Sequence, residues 1–494
     1  MRPKGITPYL ASSALILGII TTPTHANIQQ LIDQNLFNDL EREAASAALI
    51  TYNRLISDGG CSDSQRIGTG TCSGQTFELF DNVRELIHTA NEITGAGPTA
   101  FSLGADIEGL GFSLRWTAAE EYAAQGNLSS EFVGGQVSGL AARLTALRAG
   151  ASGFNIIGIG STWQQNNNGA LASAYGNRGA GASSDGNAYS PWGGFLNVDF
   201  GSGSREPTNR EDAFDFENFQ FTLGMDYRIN NNWIAGLVLG NSIQEIDFDS
   251  ALSIVEGKIE ADGVSIMPFV MYQKDAWYVS ASLGWQQISF DSERAIRYPS
   301  FNLDLESINT LAVSDTDANV TSLFVEAGYT WFWKKFAVEP FANITYSDTS
   351  VDGFIEDDVN NDAFDLVIES QDITSQEFTF GTKFQYTLTP SFGVFVPYIT
   401  LELITQNDDA SRNIRAYYAQ DTTGTTAFSV PTEELDSSYY SYTVGMSSVI
   451  RGGRQRQAGG AVGGDIQGFI SYKSLEGLEG FDIDLYSLGL RYTF

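Results

Sequence analysis

From about residue 191 to residue 494 the chain alternates apolar and polar residues in unusually long runs. Phe219, Phe221, Leu223, Met225, Tyr227 and Ile229 interleave with Gln220, Thr222, Gly224, Asp226 and Arg228. Leu323, Val325, Ala327, Tyr329, Trp331 and Trp333 interleave with a set that includes Glu326 and Gly328, and Phe378, Phe380, Phe384, Tyr386 and Leu388 with Glu377, Gly381, Lys383 and Gln385. A strand has a side-chain period of two, so each run carries one apolar and one polar face. Soluble half-buried strands alternate over roughly 4–8 residues, and these runs are longer. A strand with lipid on one side and water on the other has to read this way.

The pattern predicts a mainly β fold, a twelve-stranded antiparallel transmembrane β-barrel. The strands fall near 192–200, 218–229, 232–247, 259–272, 276–290, 319–333, 335–349, 372–387, 392–406, 438–450, 462–473 and 481–494. The sheet has to close, because an open edge in lipid leaves backbone groups unpaired at several kcal/mol each. Connections alternate between short ones (230–231, 273–275, 334, 388–391, 451–461) and longer ones (201–217, 248–258, 291–318, 350–371, 407–437, 474–480). Short turns face the periplasm and long loops the exterior in bacterial outer-membrane barrels. Trp233, Trp277, Trp331, Trp333, Tyr492 and Phe494 lie near the short turns and form a girdle there. Pro268, Pro340 and Pro397 lack a ladder donor, so bulges or strand ends are expected at them. The inward set of Gly, Ser, Thr and charged residues predicts a lumen that is wet or filled by another segment.

The N-terminal part differs. Arg2 and Lys4, the apolar run Leu10 to Ile20 and the small residues Thr24 and Ala26 read as a secretory signal peptide over 1–26, cleaved after Ala26. No later stretch reaches ~18 consecutive apolar residues, so no transmembrane helix is expected. Residues 27–160 read as a small α-helical region. Helices are predicted over 28–57, from Leu31, Ile32, Leu36, Leu40 and Ala44, over 77–93, and within 115–148. Residues 161–190, rich in Gly, Asn and Ser, read as a linker.

Acids number 60 against 27 bases, a formal net charge of −33. Phosphate neutralisation needs clustered Lys and Arg, so nucleic acid is excluded as a partner. The two cysteines, Cys61 and Cys72, sit in a Gly/Ser loop and should pair in an oxidising compartment. Catalysis is disfavoured: the histidines are His25 and His88, so the barrel cannot hold a Ser-His-Asp arrangement. His88 is expected to be a surface or hairpin-packing residue. Gly95 to Ala100 fits a loose dinucleotide pattern but follows a helix, so it is read as a helix stop and no cofactor is expected. The 350–372 segment holds eight acids and no base. Asp358, Asn360, Asp362 and Glu369 fit calcium-loop positions 1, 3, 5 and 12, but Ala363 replaces the required Gly. A solvated acidic loop is the expectation, and no metal site is assigned. Arg451, Arg454 and Arg456 form a basic turn.

The opening strand Pro191-Trp192-Gly193-Gly194-Phe195, the run Gly224-Met225-Asp226-Tyr227-Arg228, the strand Gly236 to Gly240 and the closing Tyr486 to Phe494 resemble the autotransporter β-domain of type V secretion. The resemblance covers about 191–494. It implies an outer-membrane translocator of a Gram-negative-type bacterium, surrounded by lipid and lipopolysaccharide, with a helix before the first strand occupying the pore. It also implies that Leu488, Leu490, Tyr492 and Phe494 are read as a signal by the outer-membrane assembly machinery. Large members carry long β-helical passengers; the region before this barrel has helices and no strand repeats. The expected function is export or display of the short N-terminal region at the cell surface. The alternative is a stand-alone pore gated or plugged by that region.

Overall fold

The structure is a computed structural model that describes residues 28–95, 97–148, 192–248, 255–390, 394–407, 413–421, 428–433, 438–451, 466–478 and 480–492. The signal segment, Ala26, the 161–190 linker and Phe494 lie outside the described residues.

Twelve long antiparallel strands form a closed barrel: β1 (Trp192–Arg205), β2 (Phe214–Arg228), β3 (Trp233–Phe248), β4 (Gly257–Lys274), β5 (Trp277–Tyr298), β6 (Ile308–Tyr329), β7 (Phe336–Val351), β8 (Gln371–Tyr386), β9 (Val394–Gln406), β10 (Ser438–Arg451), β11 (Ile466–Glu476) and β12 (Phe481–Tyr492). Each pairs with its neighbours in sequence, and β1 pairs with β12 from Leu196↔Leu490 to Arg205↔Phe481, which closes the ring. Both ends of the barrel chain therefore lie at the short-turn end.

Strand faces define a lipid band. On β5 the outward residues Trp277, Val279, Leu283 and Trp285 are each about half exposed or more, while Tyr278, Ser280, Ser282 and Gly284 turn inward. That band is about nine residues tall, the length a tilted strand needs to cross a bilayer. Its lower rim is built of cross-strand aromatic pairs: Trp192–Tyr227, Trp233–Tyr272, Trp277–Tyr329 and Phe336–Tyr386, with ring centroids 4.7–5.0 Å apart.

Beyond the band the strands continue and their faces exchange character. Outward positions become acidic, and inward positions become apolar: Phe214 and Phe216 on β2, Ile246 and Phe248 on β3, Ile288, Phe290 and Ile296 on β5 are all buried. Glu217, Glu245, Glu260, Asp291 and Asp315 stand directly opposite one another across β2 to β6. Like charges in register repel, and Lys258 relieves the ladder by reaching both Glu245 (2.7 Å) and Glu260 (2.6 Å). This exchange overturns the expected strand ends: β5 and β6 run to Tyr298 and back from Ile308, well past 290 and 319.

The prolines also depart from expectation. None of the three shifts the register. At Pro340 the pairing with β6 lapses after Gly328↔Phe341 and the same register resumes at Trp331↔Val338, and at Pro397 the pairing with β8 lapses after Gln385↔Tyr398 and resumes at Leu388↔Phe395, so each proline falls in a gap of the ladder. At Pro268 the β4–β5 pairing lapses and resumes in the same register, and Ser282 Oγ donates to the Pro268 carbonyl (3.1 Å). Among the described residues the one register shift in these ladders lies between Val449 and Arg451.

The N-terminal region forms α1 (Ile28–Asp33), α2 (Asp39–Ser57), α3 (Gln75–Thr94), α4 (Ile107–Arg115), a 3-10 turn (Glu120–Ala123) and α5 (Ala124–Arg148). The predicted 28–57 helix is broken before Asn38, whose side chain caps α2 in a reciprocal box with Glu41. α4, capped by Asp106, was not expected from periodicity. Gly95, in the left-handed region at φ 71°, ends α3 as a helix stop.

Candidate functional site

The lumen and the long-loop mouth of the barrel are where the two parts of the chain meet. α5 runs down the lumen. At the mouth, Gln371 Nε2 on β8 donates to Gln125 Oε1 (3.3 Å). Further down, Asn218 Nδ2 donates to Glu131 Oε1 (2.6 Å) and Ser265 Oγ to Gln136 Oε1 (3.0 Å). Near the short turns, Arg143 Nε donates to Asp226 Oδ2 (2.8 Å), with both side chains buried. At ~1.5 Å per residue the span from Gln125 to Arg143 is about 27 Å, the depth of the band.

This helix fits because both surfaces are small where they touch. A Cβ on Gly135 would lie inside the Gln220 side chain, one on Gly263 of β4 would collide with the Phe132 ring, and one on Gly240 of β3 with Gln136. The inward polar residues that read as a wet face thus form the socket of α5.

Above the lumen α1–α4 sit on the mouth as a cap. Cys61 and Cys72 are bonded to each other, with Cα atoms 5.0 Å apart, and close the α2–α3 hairpin. Asp63 in that loop accepts from Tyr52 Oη (2.7 Å), and its carbonyl accepts from Arg84 (3.1 Å). His88 is fully buried: its Nδ1 accepts from the Phe101 amide (3.1 Å), so Nε2 carries the proton and donates to Asp63 Oδ1 (2.9 Å). Burial lowers its pKa, partly offset by Asp63. Both ring nitrogens are committed to packing the hairpin. Removing the bridge with Cys61→Ala and Cys72→Ala is expected to cost the cap about 3 kcal/mol in the chain-entropy picture. Urea titration of cap proteolysis, with the barrel still folded, measures it.

Buried ion pairs join cap to barrel. Arg294 of β5 makes a two-pronged contact with Glu356 (2.8 and 2.6 Å) and also donates to the carbonyls of Trp116 (3.3 Å) and Phe364 (3.2 Å). Glu356 further accepts from Tyr122 Oη (2.6 Å) and the Leu366 amide (2.8 Å). Arg115 of α4 pairs with Asp212 of the β1–β2 loop and with Glu120 (3.3 Å). Arg54 reaches Asp421 (3.4 Å), Asn82 donates to the Asp362 carbonyl, and the Phe301 amide donates to the Leu103 carbonyl (2.7 Å).

The expectation of a solvated acidic loop over 350–372 holds for Asp352, Asp357 and Asp372, which are exposed, and is overturned for three of its acids. Glu356, Asp358 and Asp365 are buried and built into the mouth rather than solvated. Asp358 Oδ1 accepts from Thr310 Oγ1 and the Asn360 amide, and Oδ2 from the Phe364 amide (3.4 Å). Among the described residues no group of three His, Cys, Asp or Glu is placed to hold a metal.

Of the terminal-strand residues, Leu488 faces lipid, half exposed, while Leu490 and Tyr492 pair with Gly468 and Ile466. The residues that sequence reasoning missed are Arg294, Glu356, Arg115 and Asp212.

Two curated relatives, the esterase EstA of Pseudomonas aeruginosa and that of Pseudomonas putida, are each 22% identical over 213 residues, 42% of this chain. The matched stretch spans 31% of their length, about a third. Among solved structures the chain is similar to the translocator domain of the autotransporter NalP from Neisseria meningitidis (TM-score 0.43, 13% identity, 63% of this chain and 90% of that one). It is also similar to the β-domain of the Bordetella autotransporter BrkA (TM-score 0.39, 14% identity, 61% and 99%). The family model of the autotransporter β-domain matches residues 194–453, more than half of the chain. A closed barrel of twelve strands with a lipid band, matched over that length, makes the chain a member of the autotransporter β-domain family, an outer-membrane β-barrel translocator.

Proposed function

We propose that this barrel carries its own N-terminal helical region to the cell surface and keeps it there as a cap over the pore. The reading rests on the direction of α5. The helix leaves the cap at the long-loop end and reaches Asp226 at the short-turn end, where β1 begins and β12 finishes. With short turns in the periplasm, α1–α4 stand outside. Export starts with the 1–26 leader, cut after Ala26. The Leu488–Phe494 end is read by the assembly machinery. The partners of the outer face are lipid along the band and lipopolysaccharide at the acidic ladder.

Surface protease shaving of intact cells tests this. One epitope goes at Gly70, an exposed turn in the disulfide loop with open space around it, and one at the fully exposed Leu303 on the β5–β6 loop. Both tags are expected to be labelled and shaved from intact cells while the barrel persists. If the Gly70 tag is protected until the outer membrane is broken and the Leu303 tag is not, display is wrong, and the helical region is a periplasmic gate of a stand-alone pore.

A further inference from the structure

Three carboxyl groups lie buried at the seam between cap and barrel, each with one oxygen that has no hydrogen-bond partner: Glu85 on α3, and Glu120 and Glu121 on the 3-10 turn that joins cap to pore helix. All three are at most 6% exposed. The groups facing Glu85 are Asp81 and Arg84 on its own helix and Tyr298 of β5 from the barrel side. Arg84 is already taken by Asp81 and by the carbonyls of Asp63 and Gln65. The Tyr298 hydroxyl is itself buried without a partner. Around Glu120 and Glu121 stand Arg115 of α4, Asp212 of the β1–β2 loop, Arg294 of β5, and Glu356 and Tyr122. The two arginines there face four carboxyls: Arg115 is shared between Asp212 and Glu120 (3.3 Å) and Arg294 is taken by Glu356, so two carboxyls remain in excess.

An ionised carboxylate buried without a counter-charge is costly, and the neutral acid is the form such a site accepts. We propose that the seam is a proton-operated latch: Glu85, Glu120 and Glu121 hold the cap on the barrel in their neutral forms and loosen it when they ionise. The hinge of the latch is the turn after Ala119, a non-glycine residue in the left-handed region at φ 60°. Burial, helped by Asp81, raises the Glu85 pKa to about 8. Burial raises that of Glu121 to about 7 against the pull of Arg294, and burial together with Glu121 raises Glu120 well above its usual value. A carboxyl whose docked pKa exceeds its free value takes up a proton on docking. The cap is held most firmly below the free value of ~4.3 and loosens as pH rises through the window up to about 7 for Glu121 and about 8 for Glu85. Within the window each carboxyl weakens docking by up to ~10-fold per pH unit, with no further change above it.

The test uses the full chain in detergent micelles and hydrogen exchange of the Phe301 amide, which bonds to the cap across the seam. Protection factors, which divide out the intrinsic pH dependence of exchange, are read from pH 5 to 9. In the wild type, protection at Phe301 is expected to fall at least ~10-fold between pH 5 and 7, while the Leu223 amide in the lipid band stays level. Glu85→Gln and Glu121→Gln, singly and together, are expected to flatten the slope, because a neutral amide stands in for the protonated acid. Level wild-type protection at Phe301 overturns the latch, and so does an equal fall at Leu223 or an unchanged slope in the variants. The latch does not depend on which side of the membrane the cap occupies, so its failure leaves the display reading untouched.

Discussion

Arg294→Ala is expected to free the cap and leave the membrane barrel standing. Arg294 is 1% exposed and holds two segments to β5 at once: the 352–370 loop through Glu356 and Phe364, and the end of α4 through Trp116. Its loss leaves Glu356 buried with no cation, and breaking a buried pair by removing one partner costs about 3–5 kcal/mol. The cost falls on the mouth, because Arg294 lies beyond Trp285, the last outward aromatic residue of β5 in the lipid band. In the variant, α1–α4 should become sensitive to protease, while the barrel still shows the altered gel migration of a folded β-barrel when unheated. The double variant Arg294→Met, Glu356→Leu restores resistance, since replacing a buried pair by apolar side chains is often neutral or better. A single variant as protease-resistant as wild type would mean that the pair does not hold the cap.

Sequence pattern carried the barrel well, because lipid imposes a period that a strand can satisfy in one way. It lost the strands where they leave the lipid. At Phe216 and Glu217 the chain still alternates, but the apolar residue now points in, toward the core shared with the cap, and the acid points out. A reader looking for outward apolar residues stops there. The same exchange hid the mouth. Glu356 stands in a run of acids that looks solvated, and its partner Arg294 is 62 residues away in sequence. No local signal links the two.

α5 was legible as a helix from its residues, and only the family resemblance placed a helix in the pore. Its surroundings are polar on the barrel side, so it lacks the strong apolar stripe that marks a core helix. Its clue was instead the glycines Gly135 and Gly139, which lower helix propensity and sit where the helix comes close to Gln220 and Thr222 of β2. The disulfide and the Gly95 stop were readable because spacing and backbone conformation act locally.

The glycines of α5 yield the second large effect. Gly135→Leu is expected to expel the helix from the lumen, whereas Gly134→Ala is expected to leave it in place. The two positions are adjacent but face different surroundings. A side chain at Gly135 runs into Gln220 of β2, a wall residue 1% exposed, while one at Gly134 meets nothing within 4 Å. The first contact is the carboxamide end of Gln220, which swings aside, but a leucine reaches on toward the β2 backbone, and that cannot yield easily because Gln220 is registered between Asp199 and Ser242 in a continuous ladder. The helix must yield instead, and it then gives up the Asn218–Glu131, Ser265–Gln136 and Asp226–Arg143 contacts together. Leaving Asp226 and Arg143 apart in the lumen is tolerable once water enters, so the expelled state is an open, water-filled barrel. Single-channel recording in planar bilayers reads this directly: the wild type and Gly134→Ala should stay near the closed level, and Gly135→Leu should show large, long-lived openings. Arg143→Ala, which loosens the lower end of α5, should fall between them with brief openings. If Gly135→Leu folds and stays closed, the lumen is sealed by something other than α5, and the socket drawn by Gly240, Gly263 and Gln220 does not do the sealing.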